Sequence, residues 1–361
     1  LPNTKTTVEV PGEVEIQEAI KENVEEIQTD GGPVEIEMTE EGGAEVSFDP
    51  KAASPEGGED HFENLGEFLD DSVLDPLGSK LVDQYNEYRE SRADWEDTYR
   101  NGLDLLGFKY ERRTEPFRGA SGVNHPVLAE AVTQFQAQAY KELLPADGPV
   151  RTQIMGNADV AKEEQSKRVK DFMNYQIMDQ MKEYEPEFDQ MLFYLPLSGS
   201  TFKKVYYDDL LGRAVSKFVP AEDLIVPYSA NSLDDAEAVI HVIKMSENEL
   251  RKQQVAGFYR DIELGRPPVT QNELQDKKLE LEGIQRDGQE DQYTLYEIHT
   301  DIDLEGYEDL GADGEPTGIK LPYVVTIAQS NNKILSIRRN YGEQDPLKKK
   351  INYFVQFKFL P

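Results

Sequence analysis

At 361 residues the chain is long enough for two or three domains, and 38 Lys and Arg against 71 Asp and Glu leave a formal charge of -33. A surface that acidic repels phosphate, which excludes tight electrostatic binding of nucleic acid. The absence of cysteine removes disulfides, thiolate zinc sites, iron–sulfur clusters and cysteine nucleophiles together.

No apolar run approaches the roughly 18 residues of a membrane span, and the first residues lack the basic and apolar regions of a signal peptide. The chain therefore reads as soluble and intracellular, with no membrane partner. It opens at Leu1 and stops in the apolar run "INYFVQFKFLP", so it reads as a fragment or a processed product.

Residues 1–71 hold 21 acidic and 3 basic side chains, so -18 of the total charge sits there, and Phe48, Phe62 and Phe68 are the only aromatics. "VEVPGEVEIQ" and "PVEIEM" alternate apolar residues with Glu, which suits an exposed strand, but Pro and Gly interrupt each run. Low hydrophobicity with high like charge predicts an acidic arm that is extended or disordered until a partner orders it.

Ordered structure is expected from about Leu74. Leu81, Tyr85, Tyr88, Trp95 and Tyr99 recur near helical spacing, Gly107 supplies a stop, and Trp95 reads as a packing anchor. The basic turn "RRTEPFRGASG" follows. Next comes a helix that Asn124 or His125 caps and Pro126 opens, with Leu128, Val132, Phe135, Ala139 and Leu143 on one face and Pro145 and Gly148 at its end. A second long helix is predicted from Ala161 to Tyr184, with the stripe Val169, Phe172, Met173, Ile177 and Met181, and Pro186 is expected to break it. Its methionines suit either gap-filling core or an adaptable surface between subunits.

From Gly199 the period changes to that of strands. "TFKKVYYDDLLGRAVSKFVP" reads as two strands around a turn from Asp208 to Gly212, and "AEAVIHVIKM" as a third. Ser246 and Glu249 form a capping-box pattern ahead of a helix, and residues 257–290 are polar and helical in part. "DQYTLYEIHTDIDLEG" and "KLPYVVTIAQSNNKILSIRRNY" return to strands, the latter a hairpin turning at Ser330, Asn331 and Asn332. Helices, strands, a helix and strands again make an α+β chain.

The turn before the third helix is the first candidate for chemistry. "RGASG" lacks the G-x-S-x-G spacing and the preceding strand of a nucleophile elbow. Arg112, Arg113 and Arg118 lie near glycines before a helix N-terminus, but neither phosphate-binding glycine motif is present, so these arginines read as partners for carboxylates. Asp301, Asp303, Glu305 and Gly306 match the start of a calcium loop, whose closing Glu is replaced by Ala312. His61, His125, His241 and His299 fall in separate segments without metal-ligand spacing, and each reads as structural. Carboxylate pairs are too abundant for any one to be singled out. Lys348, Lys349 and Lys350 flank aromatics and read as the solvated edge of a strand. No catalytic, cofactor or metal residue is assigned on these grounds.

Several segments in order, "RRTEPFRGASGVNHPVLAEAVTQFQAQAYKELLP", "FMNYQIMDQMKEYEPEFDQMLFYLPLSGSTFKKVYYD", "FVPAEDLIVPYSANSLDDAEAVIHVIKMSENELR" and "INYFVQFKFLP", resemble the portal proteins of tailed bacteriophages. "LPLSGSTFKKVYYD" and "VPAEDLIVPYSANSL" carry the resemblance most specifically. It implies a podovirus-type head-to-tail connector in the virion: a twelve-subunit ring at one capsid vertex, set in the major capsid protein. Terminase would dock during packaging and a head-to-tail adaptor afterwards. Double-stranded DNA would pass through the channel without sequence-specific binding, and no enzymatic step or cofactor is implied. The family's anatomy implies an acidic arm over 1–71, a wing of helices and a β module over 72–245, a stem-like helix over 246–289, a small α/β clip over 290–345 and a return strand over 346–361. Arg112, Arg113 and Arg118 would then sit at a subunit interface. The competing readings are a monomeric acidic adaptor that recruits through its arm and a metal-dependent hydrolase that uses scattered carboxylates.

Overall fold

The computed structural model describes residues 35–38, 44–47, 61–106, 117–119, 125–208, 211–265, 274, 278, 292–311 and 315–359. The chain divides into two units, Leu1–His61 and Phe62–Pro361. In the first, the alternation of "VEIEM" forms a strand: β1 (Glu35–Met38) pairs antiparallel with β2 (Ala44–Ser47), with Ile36 opposite Val46. The state expected for the rest of residues 1–60 lies outside the described residues.

The second unit begins its core earlier than the expected Leu74. Leu65, in a short turn of 3-10 helix (Leu65–Glu67), is fully buried, and Asn64 beside it is nearly so. A lone Leu between Asn64 and Gly66 carries no periodicity, so this anchor was not legible before the fold. The expected single helix over residues 79–107 is two, α1 (Asp71–Ser91) and α2 (Ala93–Leu105). They part at Arg92, whose guanidinium donates to the carbonyls of Ala221, Glu222 and Leu224. Tying a buried cation to a loop 130 positions away fixes the helix axis there.

Helix α3 (Val127–Leu143) ends before Pro145, as its pattern predicts, but Pro126 itself stands at the N-cap, without a side-chain cap bond, in place of the expected Asn124 or His125. Helix α4 (Val160–Tyr175) runs into a π turn (Gln176–Gln180), and α5 (Tyr184–Ser198) follows. Pro186 does not break a helix but occupies the first turn of α5, where its missing N–H has no intrahelical partner to lose. Gly199, at φ 81°, closes α5 in the left-handed region that glycine enters without strain.

All strand pairs are antiparallel. A three-stranded sheet has the order β10 (Phe354–Lys358), β3 (Ser200–Asp208), β4 (Arg213–Val219). A five-stranded sheet runs β5 (Leu224–Ile225), β6 (Ala238–Ser246), β7 (Gln292–Ile302), β8 (Leu321–Ala328), β9 (Ile334–Arg339). Strand alternation assigns the faces of the larger sheet. One face buries Ile240, Ile298 and Val325 under α1, where Tyr85 stacks on Tyr296 at 4.1 Å. The other meets α6 (Glu247–Val255) through Leu250, Tyr293 and Leu295, and meets the smaller sheet through Phe202, Val219, Val239 and Phe354. The outer face of the smaller sheet carries α3 and α5 through Phe135, Phe188, Leu192 and Phe357. The result is α+β in layers, with helices at both outsides.

This pairing corrects the expected division of the chain. β6 and β7 pair over nine positions, from Ala238 opposite Thr300 to Ser246 opposite Gln292, so boundaries at 245 and 290 fall inside one sheet. Of the stem-like helix expected over 246–289, the described residues show the nine-residue α6, with Leu274 and Lys278 also helical. Its capping box at Ser246 and Glu249 forms as predicted, but Gly257 at φ 71° turns the chain and Tyr259 and Leu264 pack it back onto the sheet. Of residues 266–291 only Leu274 and Lys278 are described, and Leu274 is buried against Tyr99, Leu103 and Tyr194.

The edge of β9 is finished by a side chain. Asn64 donates from Nδ2 to Leu335 O at 3.0 Å and accepts from Ile337 N at 3.0 Å through Oδ1, so its amide occupies the place of a sixth strand. Among the described residues no helix is long and apolar enough to cross a membrane.

Candidate functional site

Polar groups converge most closely where the two sheets meet. Glu297 projects from β7 beside His241 on β6, its direct cross-strand neighbour, and His299 lies two positions along the same face. Lys204 reaches in from β3, its Nζ 2.6 Å and 2.7 Å from the two Glu297 oxygens, and His299 donates from Nε2 to Glu297 Oε1 at 2.8 Å. Phe354 stands edge-on to both imidazoles, and Tyr353 leans on His299. Burial disfavours the Glu297 charge, yet Lys204 and the two histidines hold its carboxyl well below the usual carboxylate range. Burial pushes His241 down to about 3 and lowers His299 as well, so both rings are neutral. Two of the histidines that the sequence separates thus share one carboxylate.

A second cluster lies on the other face of the smaller sheet. Glu183 and Glu187, one turn apart on α5, accept the outward N–H groups of Ser216 and Phe218 on the edge of β4. Two carboxylates at helical spacing match two N–H groups at strand spacing, and the edge is closed. Arg213 pairs with Glu183 at 2.8 Å. Lys203, only 3% exposed, points its Nζ at the rings of Tyr184 (4.0 Å) and Phe188 (5.4 Å). Burial lowers its pKa to about 8, against the pull of Glu187 and Glu183.

Arg92 anchors a third group. Beside the carbonyls it holds, Lys278 pairs with Glu222 and lies 4.1 Å from the Tyr194 ring centroid, while burial and the charge of Glu222 raise the pKa of Asp223. All three clusters sit beside aromatic rings at joints between layers.

Of the residues expected at an interface, Arg118 lies exposed in the turn of residues 117–119, with Gly119 at φ 90°. Arg112, Arg113 and Ser121 lie outside the described residues. The start of the calcium-like pattern is the end of β7 and a turn in which Glu308 accepts the Gly306 N–H and Asp309 binds Thr317 and Lys348. Among the described residues no group of three or more His, Asp or Glu is placed to hold a metal ion.

The surface presents a different kind of candidate. The stripe Val169, Phe172 and Met173 was open to two readings, core or an adaptable surface, and none of the sixteen residues of α4 is buried. Instead the helix is held by polar groups. Asn174 accepts from Val150 N at 2.9 Å, close against Gly148, where any Cβ would lie 2.4 Å from the Asn174 amide. Ser166 donates to Thr152 Oγ1 at 2.8 Å. Val169, Phe172 and Met173 are 44%, 57% and 42% exposed, with Tyr175 and Met178 exposed nearby. The side of the helix that carries Ser166 and Asn174 faces the rest of the chain, and Val169, Phe172 and Met173 face out. Periodicity located this stripe but could not say whether the chain buries it.

The chain matches no family model, and no curated protein matches it.

Proposed function

We propose that the chain is a structural subunit of a ring-forming head-to-tail connector of the tailed-phage portal type. The observation that supports this reading best is the inverted helix α4, which turns its apolar stripe away from its own core. A helix of sixteen residues is marginal in water without tertiary packing, and an exposed apolar stripe marks an interaction surface. The two segments with the most specific likeness to portal proteins also lie at joints of the fold. "LPLSGSTFKKVYYD" is the step from α5 through Gly199 into β3, and "VPAEDLIVPYSANSL" contains β5 and the carbonyls that Arg92 holds.

In this reading the ring holds twelve copies at one capsid vertex of the virion. The major capsid protein surrounds it, and terminase and then a head-to-tail adaptor dock on it. DNA slides through a channel that does not grip it, since a chain of -33 charge offers little counterion release. No catalytic step is assigned. Arg118, exposed ahead of α3, contacts a neighbour's carboxylates, as do Arg112 and Arg113. Arg118→Glu is then expected to lower the assembled fraction in sedimentation at physiological salt. A variant that assembles like the parent, with unchanged salt resistance, removes Arg118 from the interface.

A further inference from the structure

Helix α4 carries its charges in an order that suggests what covers it. At 3.6 residues per turn, Lys162 lies along the Val169, Phe172 and Met173 stripe and Arg168 flanks it, whereas Glu163, Glu164 and Asp171 fall toward the opposite side. The open face is therefore apolar with a basic margin on a chain of strong negative charge. Such a face is attracted to the surface of another copy more than to any anion-poor partner.

The matching surface is on α1. That helix buries Leu74, Leu81, Tyr85 and Tyr88 and exposes Asp83, Glu87 and Glu90, a row at intervals of four and three residues on its outer side. The stripe and the row belong to different elements, so contact between them is heterologous: each copy offers one of each and uses both. A contact of that kind closes into a ring when its rotation permits, whereas a two-fold contact stops at a dimer.

We propose that the Val169, Phe172 and Met173 face of α4, with Lys162 and Arg168 at its margin, docks head to tail on the Asp83, Glu87 and Glu90 row of α1 in a second copy. This rests on the ring reading above and deepens it by naming the two surfaces. Phe172 and Met173 supply the apolar contact, and the charges set direction, since stripe against stripe brings like charges together.

Two variants of the full chain test it, with folding checked by circular dichroism. The first, Arg168→Glu with Phe172→Glu, breaks the stripe and leaves the row intact. The second, Asp83→Lys with Glu87→Lys, does the reverse. Each alone is expected to lose at least about tenfold of its assembled fraction by light scattering, because like charges now face each other. Mixed in equal amounts they should associate again, since one intact stripe meets one intact row and the two reversed faces carry opposite charges. The charge exchange Arg168→Glu with Glu87→Arg in one chain should restore assembly, a recovery that misfolding could not produce. If the parent forms rings and either variant assembles like it, or the mixture stays monomeric, the stripe and row are not partners although the ring reading stands. A monomeric parent overturns both.

Discussion

Glu297 serves three neighbours at once. Lys204 and His299 contact its carboxylate, and His241 lies beside it on the adjoining strand. Removing one partner of a buried charge pair leaves the other uncompensated, so Glu297→Leu is expected to cost about 3–5 kcal/mol in urea unfolding. Adding Lys204→Met should recover a large part of that loss, because the stranded ammonium is gone. The pH dependence has a definite sign. His241 titrates in the folded protein at about 3, below its ordinary 6.5, and the Glu297 carboxyl is also depressed. In both cases the unfolded chain binds protons first, so their contribution is complete above about pH 6.5 and is lost as the pH falls, through His241 first and then Glu297. Lys203, lowered to about 8 from 10.5, acts at the alkaline end with the same sign. Stability should rise from pH 8 toward about pH 10, where tyrosines begin to ionise, and Lys203→Met should reduce that rise in unfolding measured against pH, leaving the part that Lys350, also lowered by burial, contributes.

Individual elements differ in how much of them the sequence displays. The α6 capping box, the hairpin at Asn332 (φ 57°) and the C-terminal end of α3 were legible because their signals are local: a side chain and a backbone group three residues apart, a residue tolerant of positive φ, or a proline just past the last turn. Pairing of β6 with β7 was not, since 45 residues separate Ser246 from Gln292 and strand patterning says nothing about a distant partner. Asn64 was missed for the same reason, as its two bonds to β9 lie more than 270 positions away. Asn64→Leu leaves two buried backbone groups of β9 without that partner and is expected to cost about 2–4 kcal/mol in chemical unfolding. Two helical glycines give opposite predictions. A Cβ at Gly78 would lie 2.5 Å from the Asn332 carbonyl, so Gly78→Ala should destabilise the packing of α1 on the β8–β9 turn. Gly102 in α2 has nothing within 4 Å, so Gly102→Ala should raise stability by about 0.5–1 kcal/mol, and paired melting curves separate the two signs.

The basic turn offered no chemistry in the sequence, and the question that the structure raises is one of contact. The clusters with perturbed titration are enclosed at joints between layers, and the feature that faces outward is the stripe of α4. Its period was legible, but amphipathicity is the same whether a helix packs on its own core or on another chain. The exposed row Asp83, Glu87 and Glu90 was invisible for a different reason, since carboxylates are so common here that no short run of them stands out in the sequence. In the proposed reading, copies of this chain join into a closed ring. Electron microscopy of the purified chain, with particles averaged and subunits counted, would decide it. The account predicts closed rings with a central hole wide enough for duplex DNA, and a uniform population of monomers under the same conditions would contradict it.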